Sequence, residues 1–178
     1  MTVFNDGRVD GVRPRHTGSR GFTLIEMMIA ILIGAVLLAI GVPSFRDAAL
    51  GSKLSNIAND LNASVQVARS EAIKRNVPVT LCRSTNGTSC TDDSEWATGW
   101  IILQGTQVIQ YEQPIPTGFK VTRTVGTGNI SFQPIGVGAS AATFRVCRSS
   151  PVGKQERLVT VSATGVAYVT TTENGACP

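Results

Sequence analysis

The most reactive side chains in this sequence are four cysteines, Cys82, Cys90, Cys147 and Cys177, all of which follow a long apolar stretch. No neighbouring pair has the C-x-x-C spacing of a zinc or dithiol redox site. An even number of cysteines in an exported domain points to two disulfides and an oxidising compartment, with free buried thiols or another pairing as the alternative. His16 is the single histidine and lies among Arg8, Arg13, Arg15 and Arg20. Beyond it, no Ser-His-Asp, Cys-His or histidine-metal arrangement can be built, because no other imidazole is present to act as base or ligand. Catalysis is therefore not expected, and neither a cofactor nor a metal site is. Asp92, Asp93 and Glu95 form an acidic cluster, but a hard cation needs six or more oxygens in defined geometry, and a solvated loop is the simpler reading. Gly126-Thr127-Gly128 and Gly136-Val137-Gly138 lack both the Rossmann spacing and a phosphate-loop lysine, and read as β-turns.

Basic residues carry the other chemistry to consider. Lys120, Arg123, Arg145, Arg148, Lys154 and Arg157 face only Glu156 and Glu173 after residue 119, a local excess of +4. Such a cluster allows weak phosphate contacts, which need no particular motif, but a solvated face is the favoured reading. The overall formal charge is +4, and Arg8, Arg13, Arg15 and Arg20 against Asp6 and Asp10 place +2 of it before residue 22. The remaining +2 is too small to imply nucleic-acid binding by itself.

The element that must position everything else is the apolar run 22–42, in which Thr23 and Glu26 are the only polar side chains. As a helix it would be about 31 Å long, matching a bilayer core of about 30 Å. Basic residues precede it, so the positive-inside rule keeps residues 1–21 in the cytoplasm and sends the cysteines to the far side. A secretory signal would instead be cut after the run, and Gly41-Val42-Pro43 is a poor A-x-A-like site. Glu26 is costly in such a helix, about 2.5 to 3.5 kcal/mol on insertion scales, unless it finds a partner. The alternative is a glutamate that snorkels to the interface. Pro43, flanked by Gly41 and followed by Gly51, is expected to kink or partly melt the helix, or simply to end the span.

Gly21-Phe22-Thr23-Leu24-Ile25-Glu26 followed by an apolar helix resembles the N-terminus of type IV prepilins and type II secretion pseudopilins. The resemblance implies a leader, residues 1–21, cut between Gly21 and Phe22 by a prepilin peptidase, with methylation at Phe22. It further implies that Glu26 meets the amino terminus of a neighbouring subunit during assembly and that Pro43 is a flexible joint. Partners would then be other pilins or pseudopilins, the peptidase and the bacterial inner membrane, crossed once with a periplasmic head. The segments Ala68-Arg69-Ser70-Glu71-Ala72, Pro78-Val79-Thr80-Leu81-Cys82, Gly99-Trp100 and Phe144-Arg145-Val146-Cys147, with Trp96 and Cys90, are similar to the GspH, FimT and FimU branch. FimT-like members are implicated in DNA uptake through a Gly-Arg-x-Arg motif, and at that place this chain has Gly165-Val166-Ala167-Tyr168. A subunit that primes or caps a pilus or secretion pseudopilus is the leading expectation. A DNA receptor at a pilus tip is the alternative.

Residues 43–76 continue the helix with Leu50, Leu54, Ile57, Leu61, Val65, Ala68 and Ala72 at spacings of three and four, an amphipathic stripe made to lie on a sheet. Arg69, Glu71, Lys74 and Arg75 read as its solvated last turn, closed by Asn76-Val77-Pro78. From 77 to 178, β-rich runs are expected at 77–83, 100–104, 107–111, 119–124, 130–132, 143–147, 158–161 and 166–170. Gly105-Thr106 fits a type II′ hairpin between two of them. The expected architecture is α+β: a type IV pilin-like fold with a long N-terminal helix, transmembrane in its first half, packed on an antiparallel head. Four cysteines allow three connectivities. Pairing by proximity joins Cys82 to Cys90 across Asn86-Gly87, and Cys147 to Cys177.

Overall fold

The computed structural model describes residues 21–91, 95–136, 139–173 and 177. The leader with His16 and its arginines, Asp92 and Asp93 of the acidic cluster, and Val137 and Gly138 lie outside the described residues. Two compact units divide the chain, Met1–Pro43 and Ser44–Pro178.

One helix, α1 (Leu24–Arg75), passes through both. Within the first unit every apolar side chain it carries is exposed. The helix is unbroken at Pro43, so the expected local melting is not observed. Proline removes one N–H donor, a single lost bond in 52 helical residues, and the turns on either side keep their own.

In the second unit the amphipathic stripe does what its spacing requires. Leu54, Ile57, Ala58, Leu61, Val65, Ala68 and Ala72 are buried, and Leu50 packs at the edge of the same cluster. The alanines leave no side chain beyond Cβ, which lets the helix backbone come close to the sheets. Asn76 ends α1 in a left-handed conformation (φ 55°), the C-terminal cap geometry that asparagine tolerates.

Eight strands follow: β1 (Val79–Arg83), β2 (Trp100–Gln104), β3 (Gln107–Glu112), β4 (Phe119–Val125), β5 (Ile130–Phe132), β6 (Ala142–Arg148), β7 (Glu156–Val161) and β8 (Ala167–Thr172). They make two antiparallel sheets, ordered β3-β2-β1-β5 and β4-β6-β7-β8. Gly105 has φ 58°, as the first central residue of a II′ turn requires, and Gln104 pairs with Gln107 across it. One continuous core joins the helix stripe to Leu81, Trp100, Ile102 and Phe132 of the first sheet and to Val121, Phe144, Val146 and Val159 of the second. Each such fully buried side chain contributes about 1.5 to 3 kcal/mol.

Two aromatic residues tie elements together, Trp100 joining the first sheet to α1 and Trp96 packing on the second sheet. The Trp100 indole N–H donates to Ser64 Oγ at 2.9 Å in a buried contact, and Ser64 Oγ in turn donates to the Asp60 carbonyl. Trp96, in a 3-10 turn (Trp96–Thr98), sets its ring edge-on to Phe144 with centroids 4.6 Å apart.

Disulfides join Cys82 to Cys90 and Cys147 to Cys177. The first holds the 84–91 loop against the outer face of the first sheet, where Cys82, Ile101 and Leu103 form a small second cluster. Asn86 Oδ1 shapes that loop by accepting from the backbone N–H groups of Thr88 and Ser89. The second disulfide ties residue 177 to β6.

Candidate assembly site on the N-terminal helix

Thr23 starts the helix. Its Oγ1 accepts from the Glu26 N–H at 3.2 Å while its carbonyl accepts from the Met27 N–H. This places Glu26 at the third helical position, where a carboxylate is favoured by the positive end of the helix dipole. The sequence reading did not assign Thr23, although Thr-x-x-Glu before an apolar run is the signature of an N-terminal capping box. Glu26 is exposed and has no ion-pair partner among the described residues. Around it Phe22 is 77% and Leu24 78% exposed. An 18-residue window of this helix has a mean hydropathy of 2.6 with none of it buried. So large an apolar surface is not stable in water and calls for lipid or other helices.

An apolar helix carrying one carboxylate in its first turn, set ahead of a two-sheet head, can be compared with known proteins. Residues 17–42 match the prokaryotic N-terminal methylation motif, and residues 58–165 match the family described as type II transport protein GspH. The chain belongs to the GspH family. Among solved structures it is similar to the type IV minor pilin FimU of Pseudomonas aeruginosa, with a TM-score of 0.55 and 19% identity over 67% of this chain and 89% of that one. It is also similar to the minor pseudopilin EpsH of the Vibrio cholerae type 2 secretion system, with a TM-score of 0.51 and 12% identity over 66% of this chain and 96% of that one. At such identities these likenesses show the fold. Comparison with curated proteins by sequence found no match.

In this GspH-family head the six basic residues grouped by the sequence do not share a surface. Strand pairing puts Arg148 opposite Phe119, Arg123 opposite Phe144 and Arg157 opposite Val146, so these three lie on the sheet face that carries the core. Lys120 and Arg145 lie on the other face, and Lys154 is in the β6–β7 loop. Arg148 reaches Asp47 of α1 at 3.3 Å and the Val152 carbonyl at the same distance. Arg123 lies over the Phe144 ring, 5.6 Å from its centroid, and donates to the carbonyls of Val125 and Gly128. Burial, and then the charge of Arg83, lower the Arg123 pKa. Arg145 stands 3.7 Å from the buried Glu156, and Arg157 donates to the Glu156 carbonyl. Most of these cations thus serve the head's own packing, and a DNA-binding reading is not favoured.

The last helical turn is also less idle than expected. Arg69 Nε donates to the Gly136 carbonyl at 3.0 Å, and Arg75 bonds both Glu71 and Gln104. Arg75, with Lys74 nearby, holds the Glu71 carboxyl below its ordinary pKa. Among the described residues no group of His, Cys, Asp and Glu is placed to hold a metal.

Proposed function

We propose that this chain is a minor pilin or pseudopilin that helps to initiate or cap a type IV pilus or a type II secretion pseudopilus. It is made with the leader 1–21, cut between Gly21 and Phe22 by a prepilin peptidase and methylated at Phe22. Residues 22–42 hold it in the inner membrane with the head outside, and the same residues pack against other pilins when it enters a filament. The observation that carries this reading is the wholly exposed apolar helix with Glu26 in its first turn, within the match to the methylation motif. Cleavage creates the counter-charge that Glu26 lacks in its own chain, because the new amino terminus appears four residues away in sequence and can pair with a neighbour's glutamate. The disulfides suit the oxidising side of the membrane. The protein's role is contact and not catalysis.

The test is co-expression with a prepilin peptidase and determination of the intact mass. The expected product begins at methylated Phe22, and Gly21→Val leaves the leader in place. A product cut after residue 42, as a secretory signal would be, overturns the reading.

A further inference from the structure

We infer that the head binds a small doubly charged oxyanion, inorganic phosphate or sulfate, between Arg83 of the first sheet and Arg123 of the second. Arg83 is the last residue of β1, and alternation from Val79 and Leu81, both in the core, turns its side chain inward. Arg123 stands opposite Phe144, also in the core, and is turned inward from the other sheet. The two come together at one end of the head. Arg123 donates to the carbonyls of Val125 and Gly128, in the turn that leads into β5, and β5 is the strand beside β1. The charge of Arg83 is felt there, since after burial it is the second cause that lowers the Arg123 pKa.

Burial makes this meeting a site. Only 9% of Arg83 is exposed, and its Nε is enclosed with no hydrogen-bond partner among the described residues. Arg123 Nη2 is enclosed and unpartnered in the same way. So is the hydroxyl of Thr91, the residue whose N–H donates to the Arg83 carbonyl at 2.9 Å. The ion pairs formed among the described residues include neither arginine. Two like charges drawn out of water with donors left over cost free energy, and an anion bonded to both offsets that cost. Arg123 is oriented for the task, because Nε and Nη1 are held by carbonyls and Nη2 is left over. Gly126 gives it room, as a Cβ at that position would lie 2.6 Å from Nη2.

Charge and access decide the class of ligand. Two guanidinium groups are balanced by a dianion, and only half balanced by chloride or a single carboxylate. Their planar forks also match the paired oxygens of an oxyanion. The deep burial of Arg83 keeps out a polymer backbone, so the ligand is a free ion and not a nucleic acid. Arg123, half-buried beside the exposed residues 126–129, is the way in. Bound there, the ion would link the two sheets, which no ion pair among the described residues does.

The experiment takes the full chain in a non-ionic detergent at constant ionic strength and titrates it with sodium phosphate, sodium sulfate or sodium chloride, following heat of binding and thermal unfolding. Phosphate and sulfate should bind at least about ten-fold more tightly than chloride and raise the unfolding temperature. Arg123→Gln and Arg83→Met should each weaken phosphate binding about ten-fold, the factor that one charge-assisted hydrogen bond supplies. The difference in unfolding temperature between the native chain and Arg83→Met should be larger in phosphate than in chloride, a dependence that a purely structural arginine does not produce. Lys53→Gln, the same loss of charge at an exposed helical position, should leave binding unchanged. Phosphate and chloride acting alike on the native chain overturns the assignment, as does phosphate binding that is unaltered in Arg123→Gln or weakened equally by Lys53→Gln. Should Arg83→Met not fold, Arg123→Gln decides alone.

Discussion

Replacing Glu26 by leucine should make the chain a better membrane protein and a worse filament subunit. On insertion scales an acidic residue at the helix centre is unfavourable by about 2.5 to 3.5 kcal/mol and leucine is favourable by about 0.3 to 0.6, so Glu26→Leu favours insertion by up to about 3 to 4 kcal/mol. Glu26 lies in the first turn and not at the centre, so the gain is below that limit. Pairing with an amino terminus about 4 Å away is worth about 1 kcal/mol in water and about 4 kcal/mol at an effective dielectric constant of 20. The pair therefore offsets the burial of the carboxylate only when both charges leave water together, which is the condition inside a filament. Losing about 3 kcal/mol there lowers incorporation by about two orders of magnitude. The assay measures, in the same cells, resistance of the chain to carbonate extraction and its recovery with sheared or overexpressed filaments, after confirming an N-terminus at Phe22. Glu26→Asp, which keeps the charge on a shorter arm, should fall between the two. If Glu26→Leu enters filaments as well as the native chain, the pairing argument is wrong and the glutamate merely sits at the interface.

Other perturbations test the head. The Cys147–Cys177 bond closes a separation of 30 residues and Cys82–Cys90 one of 8, so chain-entropy arguments give about 3.6 and about 2.5 kcal/mol. Removing each pair by alanine should show the larger loss for Cys147–Cys177 in denaturant unfolding, narrowed by the packing that buried Cys82 provides beside Ile101 and Leu103. Ser64→Ala leaves the buried Trp100 N–H without its acceptor and should lower stability by about 1 to 3 kcal/mol, read from the same transition. Glu71 has a lowered folded pKa, so its contribution is present above about pH 4.5, the unfolded value, and is lost as pH falls through the folded value. The protection of amides 72–75 relative to their intrinsic exchange rate should fall in acid and not in alkali. Duplex DNA should show no salt-dependent binding to the chain in fluorescence anisotropy, even at low ionic strength, where phosphate contacts are strongest.

Local structure was legible in the sequence to an unusual degree. All eight strands fall where alternation and turn residues place them, within two residues at every end, because each is bounded by glycine, proline or a polar turn that acts over a few residues. The helix stripe was readable for the same reason. Partner choice was not: Val79 pairs with Phe132 and Phe119 with Arg148, contacts between distant segments that no local pattern encodes. The division of the antiparallel head into two sheets follows from those pairings. Thr23 is legible through its spacing to Glu26, a local signal set beside the much stronger one of the apolar run.

The basic cluster shows how linear density misleads when a chain is pleated. Arg145 and Arg148 are three residues apart, an odd number, and a strand turns odd neighbours to opposite faces. One therefore meets Glu156 on the outer face and the other Asp47 on the helix side. Counting charge along the chain groups the six cations, while counting parity along β6 divides them. The same parity that divides the basic cluster places Arg148 against Asp47 of α1, where it ties the helix to β6. The exposed Lys154, carried on the β6–β7 loop, belongs to neither face.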